Sequence, residues 1–205
     1  MSTYSRWRPH PWHGLSVGPD APKVVQAYIE GTPFDSVKYE VDKDTGYIKV
    51  DRSFKFASQL PCLYGLVPRT YCGERVQKLS PKSSVGDGDP LDICVLCERP
   101  VSRGDIILDA RVIGGIRMID DGEADDKIIA VLANDPFWND VQDLGDLSSV
   151  TFDRIRHYFL NYKTKPEQEP SVSFDGVYGK EEAYEVIRAS MEDYEQLIST
   201  MTEEA

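Results

Sequence analysis

Apolar and β-branched residues gather in short runs along the first two thirds of the chain. Val24–Glu30, Ser36–Val41 and Tyr47–Arg52 read as strands, punctuated by Gly31-Thr32-Pro33 and Asp42-Lys43-Asp44-Thr45-Gly46, so the second and third runs form a predicted hairpin. Further strands are expected at Leu91–Cys97, Ile106–Ile119 and Lys127–Leu132, with Gly114-Gly115 marking a bulge or bend in the long one. Helical spacing emerges late: Phe152, Ile155 and Phe159 fall on one face of 151–163, and a second amphipathic stretch runs from Glu181 to Ser199. Strands first and helices last argue for an α+β fold, a small antiparallel barrel with helices packed outside.

Before Val24 the pattern differs. Pro9, Pro11, Pro19 and Pro22 interrupt any periodicity, so residues 1–22 read as an N-terminal arm laid over a body at 23–205, with Trp7 and Trp12 as anchors. A chain of 205 residues suits one domain with elaborations, and it is long enough to bury roughly 70% of the surface its unfolded form exposes. The four cysteines, Cys62, Cys72, Cys94 and Cys97, read as plain thiols, because residues three apart in a strand, such as Cys94 and Cys97, face opposite ways. No apolar run approaches the ~18 residues of a membrane span, and the first residues lack the apolar core of a signal peptide. The expectation is therefore a cytoplasmic protein without a membrane partner.

Charge changes the picture of what the chain can bind. Lys and Arg number 23 against 35 Asp and Glu, a net charge of −12, which repels a nucleic-acid backbone and leaves any phosphate ligand small and metal-assisted. The densest chemical signal is Gly86-Asp87-Gly88-Asp89-Pro90-Leu91-Asp92, three carboxylates in six residues leading into a predicted strand. Carboxylates so close repel unless a cation sits among them, and oxygen-only ligands select hard ions such as Mg²⁺ or Mn²⁺. A calcium loop starting at Asp87 fails at its fifth and sixth positions, which are Leu91 and Asp92 where an acidic or amide residue and Gly are needed. A second acidic cluster, Asp120-Asp121-Gly122-Glu123-Ala124-Asp125-Asp126, lies between two strands and taken alone reads as a solvated hairpin tip. Lys38 and Glu40 share a strand face, and Tyr162 prolongs the apolar stripe of the first late helix with Lys163 beside it. His10, His13 and His157 make no case for histidine chemistry, and signatures of a nucleoside-triphosphate loop or a serine-hydrolase elbow are missing.

Asp87-Gly88-Asp89-Pro90-Leu91-Asp92-Ile93 resembles the signature of the soluble family I inorganic pyrophosphatases. The resemblance continues in family order over about 24–163, through Lys38-Tyr39-Glu40, Val50-Asp51-Arg52, Pro61-Cys62-Leu63-Tyr64-Gly65, the 120–127 loop and Tyr162-Lys163. It implies a five-stranded barrel of the oligonucleotide-binding type with helices outside, a pyrophosphatase domain at 23–205, and hydrolysis of pyrophosphate to two orthophosphates with several Mg²⁺ ions, Mn²⁺ being an alternative. By position, Asp87, Asp92 and Asp125 would be the principal metal ligands, with Asp92 shared between two ions, and Asp120 would bind metal arriving with substrate. Asp89 would be the general base and Tyr64 would orient it or the attacking water. Lys38, Arg52, Tyr162 and Lys163 would hold phosphate oxygens, Lys127 would support the same site, and Glu30 and Glu40 would act through waters around the metals. The resemblance also implies a homo-oligomer that binds no nucleic acid. Three features depart from it. Leu60 stands where the family commonly has a second tyrosine, the 66–86 segment is long and resembles the chlamydial variant, and Glu30 lies one residue nearer Lys38 than the pattern has it.

Overall fold

The computed structural model describes residues 8–54, 59–163 and 171–203. Trp7 and the first part of the arm lie outside the described residues. The strands are β1 (Val24–Gly31), β2 (Val37–Val41), β3 (Ile48–Ser53), β4 (Leu63–Leu66), β5 (Val85–Gly86), β6 (Asp92–Leu96), β7 (Ile106–Asp120), β8 (Glu123–Ala124), β9 (Lys127–Leu132) and β10 (Val172–Gly179). The helices are α1 (Glu74–Leu79), α2 (Ser149–Asn161) and α3 (Lys180–Glu203).

Five strands close into a ring in the order β1, β4, β6, β9, β7 and back to β1. The fifteen residues of β7 make closure possible, because its first half pairs with β1, its middle with β9, and its far end with β10 and β8. The expected antiparallel arrangement is corrected in one respect. β6 and β9 run parallel, and so do β5 and β8, so the sheet is mixed. A parallel pair needs a crossover between its strands, and here β7 itself provides it without a helix.

Alternation within the strands divides the core in two. Ile29, Leu63, Ile93, Val95, Val112, Ile128 and Ala130, drawn from all five ring strands, form one cluster that fills the ring and continues under α1 and α3 through Val76, Ala183, Val186 and Ile187. Their strand neighbours Cys94, Leu96, Ile129 and Val131 face the other way, where α2 covers them with Ile155, Tyr158 and Phe159. The stripe expected on α2 is therefore the face it buries, with Ser148 accepting a hydrogen bond from the Thr151 amide to start the helix. Cys94 and Cys97 do point to different clusters, and all four cysteines are free.

The predicted hairpin is β2 and β3, and the register shift in β7 falls between Val112 and Gly114, just before the Gly114-Gly115 pair, which itself stays in register. A side chain at Gly115 would collide with the Tyr178 ring, 2.3 Å from its Cβ. The run pattern does not predict β4, β5, β8, β10 or α1. β4 is only four residues with a glycine in it, and α1 is six, both too short for periodicity to register. β10 does alternate, through Val172, Phe174 and Tyr178, with a bulge between Phe174 and Gly176.

Residues 12–17 pack against β1 and the segment after β4. Trp12 is buried and its indole nitrogen donates to the Thr70 carbonyl at 2.7 Å, while the Gln26 amide bonds the Val17 carbonyl. At the β1/β4 seam, Gly65 lets two backbones touch: a Cβ there would lie 1.9 Å from the Tyr28 carbonyl oxygen. Backbone cannot yield as a flexible side chain can. Gly65→Ala is expected to cost roughly 3 kcal/mol, read as a lower urea midpoint with an unchanged slope; an unchanged midpoint would show that the seam opens freely.

Candidate active site

One cleft, with about 230 Å³ accessible to water, opens at the end of the ring where β6 and β9 begin. Glu30, Lys38, Glu40, Tyr64, Asp87, Asp89, Asp92, Asp120, Asp125, Lys127, Tyr162 and Lys163 all line it. Of the residues expected at the site, only Arg52 does not. It lies opposite Lys38 across the hairpin and pairs with Asp51 at 2.5 Å, beside the cleft rather than in its wall. Residues separated by more than 120 positions thus meet because strand starts, a hairpin tip and a helix end converge on one rim.

Each element delivers its side chains for a local reason. Asp92 opens β6 and Lys127 opens β9, and the parallel register sets them directly opposite one another. The loop bearing Asp87 and Asp89 turns at Gly88, whose φ of +73° suits glycine, and the Asp89 amide donates to the Asp87 carboxylate at 2.9 Å. The second acidic cluster is a tight hairpin with Asp121 and Gly122 both at positive φ, so the reading of a hairpin tip holds for those two. Asp120 and Asp125 flank that tip and face inward. Tyr162 caps α2, stacks on Tyr158 with centroids 5.2 Å apart, and carries Lys163 over its own ring.

Lys127 is the electrostatic centre. It is fully buried, ion-paired with both Asp92 and Asp125, and lies over the Phe159 ring at 5.9 Å. Burial alone would discharge this ammonium, but Asp125 and Asp92 outweigh it and hold the lysine charged. The Tyr64 hydroxyl donates to Asp92, and burial and that carboxylate together keep the phenol protonated. Burial, Asp125 and Asp92 push Asp87 above the usual carboxylate range, and burial does the same to Asp125 against the pull of Lys127. Glu30 sits at the back, raised to about 8 by burial, with its carboxylate accepting the Val41 amide at 2.7 Å.

Among the described residues, no group of three metal-ligating side chains is drawn tightly enough together to grip an ion as it stands. Yet three carboxylates, Asp87, Asp92 and Asp125, face one ammonium, leaving an excess of negative charge that a hard cation would relieve. The donor set is oxygen only, so the residues fit Mg²⁺.

The structure also brings in groups the sequence did not single out. Lys43, in the β2/β3 turn, pairs with Asp89, and Glu123 lines the cleft beside Asp120. Lys38 pairs with Glu40 at 3.1 Å and with Asp51 at 3.4 Å, and Lys163 pairs with Asp120. Lys43 was legible only as a turn lysine, since its partner lies 46 residues away. Leu60, where the resemblance has a tyrosine, is buried in the wall near Gly31 and offers the cleft no hydroxyl.

Removing the central cation tests this charge balance. Lys127→Met would strand Asp92 and Asp125, so in metal-free buffer unfolding free energy should fall by about 3–5 kcal/mol. Urea unfolding reads it, and a loss under ~1 kcal/mol would mean that these ion pairs contribute no more than exposed ones do.

Comparison with known proteins places these features in a group. The description "Inorganic pyrophosphatase" matches residues 27–195, a span that runs beyond the expected resemblance through β10 and most of α3. An inorganic pyrophosphatase of Chlamydia caviae is 51% identical over 195 residues, covering 90% of each chain. The soluble inorganic pyrophosphatase of Zea mays is 43% identical, covering 92% of this chain and 81% of its own. Among solved structures, the inorganic pyrophosphatase of Thermus thermophilus superposes with a TM-score of 0.77 at 33% identity, covering 91% of this chain and 99% of its own. The type I enzyme of Toxoplasma gondii gives 0.83 at 25%, covering 96% and 91%.

Proposed function

The chain belongs to the inorganic pyrophosphatase family and hydrolyses pyrophosphate to orthophosphate, and from that premise we propose how its residues divide the work. Asp87, Asp92 and Asp125 would hold Mg²⁺, Asp92 contributing to more than one ion, Asp120 would add a ligand for metal that enters with substrate, and Glu30 and Glu40 would act through water. Mg²⁺ held there would neutralise charge on the anhydride and lower the pKa of a water so that it loses its proton readily. No covalent enzyme intermediate is needed.

Asp89 takes the proton of the attacking water. Its partial exposure at the cleft mouth and its position two residues from Asp87 support that role. Tyr64 orients the water or the base, supported by its bond to Asp92. Lys38, Arg52, Tyr162 and Lys163 hold phosphate oxygens, and Lys127 keeps the carboxylates apart while adding positive charge. Arg52 joins this set only by leaving Asp51 for the substrate. The single observation that carries the reading is the convergence of both acidic clusters and the lysines on one cleft.

The same reading takes the five-strand ring as a barrel of the oligonucleotide-binding type and residues 1–22 as an arm on a pyrophosphatase domain. A nucleic-acid role on that barrel is disfavoured by its carboxylate-rich wall. No helix among the described residues is long and apolar enough to cross a membrane. We take the enzyme to work in the cytoplasm as a homo-oligomer, which sedimentation of the purified chain checks.

Phosphate release from pyrophosphate should depend on Mg²⁺ and vanish on chelation, with ATP a poor substrate. Asp89→Asn should lower kcat by about 10²–10⁴ while Mg²⁺ binding measured by calorimetry stays intact. Retained turnover in the pure variant would remove Asp89 from the role of base.

A further inference from the structure

Behind the Asp-rich loop lies a second, purely protein-built support that no part of the reaction uses. The Cys72 amide donates to the Asp89 carbonyl at 2.8 Å, and the Gly88 amide donates back to the Cys72 carbonyl at 3.1 Å. The loop that presents Asp87 and Asp89 is therefore stitched, backbone to backbone, onto residue 72. Gly86 is packed so tightly against the same segment that a Cβ would lie 2.1 Å from the Cys72 carbonyl oxygen. Segment 71–76 is in turn held from α3. The Tyr71 amide bonds the Ser190 carbonyl at 2.9 Å, and α1 starts at Gly73 with no cap of its own.

Asp193 supplies the missing cap. Its carboxylate is buried and accepts the Gly73 amide at 3.1 Å, the Arg75 amide at 3.0 Å and the Val76 amide at 3.2 Å, while the Arg75 guanidinium closes over it at 2.9 Å. Three amides at a helix start and one guanidinium satisfy one carboxylate, a tight, directional anchor of the kind charged acceptors make at N-termini.

We propose that Asp193 is a positioning residue for hydrolysis: from the C-terminal helix it fixes segment 72–76, which through Cys72 fixes the backbone of Gly88 and Asp89. The residue touches neither substrate nor metal. The long 66–86 segment thus has a purpose, linking α3 to the wall that carries the base. The proposal rests on the assignment of Asp89 for its effect on rate, but not for its effect on the loop.

The test is hydrogen exchange of the metal-free protein, followed residue by residue at Cys72 and Gly88, together with steady-state kinetics. Asp193→Ala should speed exchange at both amides by about tenfold and lower kcat by a similar factor, with KM within about twofold, since none of Lys38, Arg52, Tyr162 and Lys163 bonds to segment 72–76. Asp193→Asn keeps one acceptor oxygen and should fall between the two proteins in both readouts. Should the alanine variant not fold, the asparagine variant decides alone. Ala183→Gly, elsewhere on α3 in the core, serves as the control: it should lower the melting temperature while leaving exchange at 72 and 88 and kcat unchanged. Wild-type exchange at Cys72 and Gly88 in a folded Asp193 variant, or equal effects from Ala183→Gly, would overturn the proposal. Faster exchange with an unchanged kcat would leave the anchor standing but overturn its catalytic part. Retained turnover in Asp89→Asn with the same exchange pattern would instead count against the reading of Asp89.

Discussion

Repulsion among half-buried carboxylates is the constraint that the rest of this protein is arranged around. Burial and neighbouring carboxylates oppose the ionisation of Asp87, burial opposes that of Asp125, and one fully buried ammonium, Lys127, stands between Asp92 and Asp125. Such a cluster relaxes if its members can move apart, so it persists only where the backbone forbids that. The parallel pairing of β6 and β9 forbids it for Asp92 and Lys127, because both are strand starts locked in register inside a closed ring. The ring also excludes water from one side, which strengthens each charge interaction in the cleft.

The ring sets the geometry of everything else at that rim. β4 brings Tyr64 to Asp92, the β7/β8 hairpin brings Asp120 and Asp125, and α2 covers the outer face so that Tyr162 and Lys163 arrive at its end. A hard cation suits the surplus of carboxylate oxygens, and an anionic substrate suits the lysines that face them. An acidic protein of net charge −12 can thus bind a polyanion, provided that the cation reverses the local sign. Leu60 removes a hydroxyl from this rim without opening a hole, since it packs into the α2 side of the core.

Outside the ring, the parts that depart from a minimal fold are bound to one another. The arm reaches Thr70 through Trp12, and His13 meets Tyr194 at 2.9 Å, one residue from the carboxylate that caps α1. Thr70 in turn holds the Leu91 amide through its hydroxyl at 2.9 Å, so both ends of the Asp-rich loop are tied to the same scaffold. Trp12 and His13, the 66–86 segment and α3 form one layer behind the Asp-rich loop.

The sequence by itself determined what depends on composition and short spacing. Gly86–Asp92 declared a carboxylate cluster in a glycine-freed turn, Asp121-Gly122 declared a hairpin tip, and Phe152, Ile155 and Phe159 declared the buried face of α2. Tertiary structure alone decided the parallel register that pairs Asp92 with Lys127, the contact of Lys43 with Asp89, the withdrawal of Arg52 to Asp51, and the capping of α1 by Asp193. The physical reason is common to all four. Each joins groups whose meeting depends on how strands pair and helices dock, and a linear pattern carries the period of an element but not the neighbour it will find.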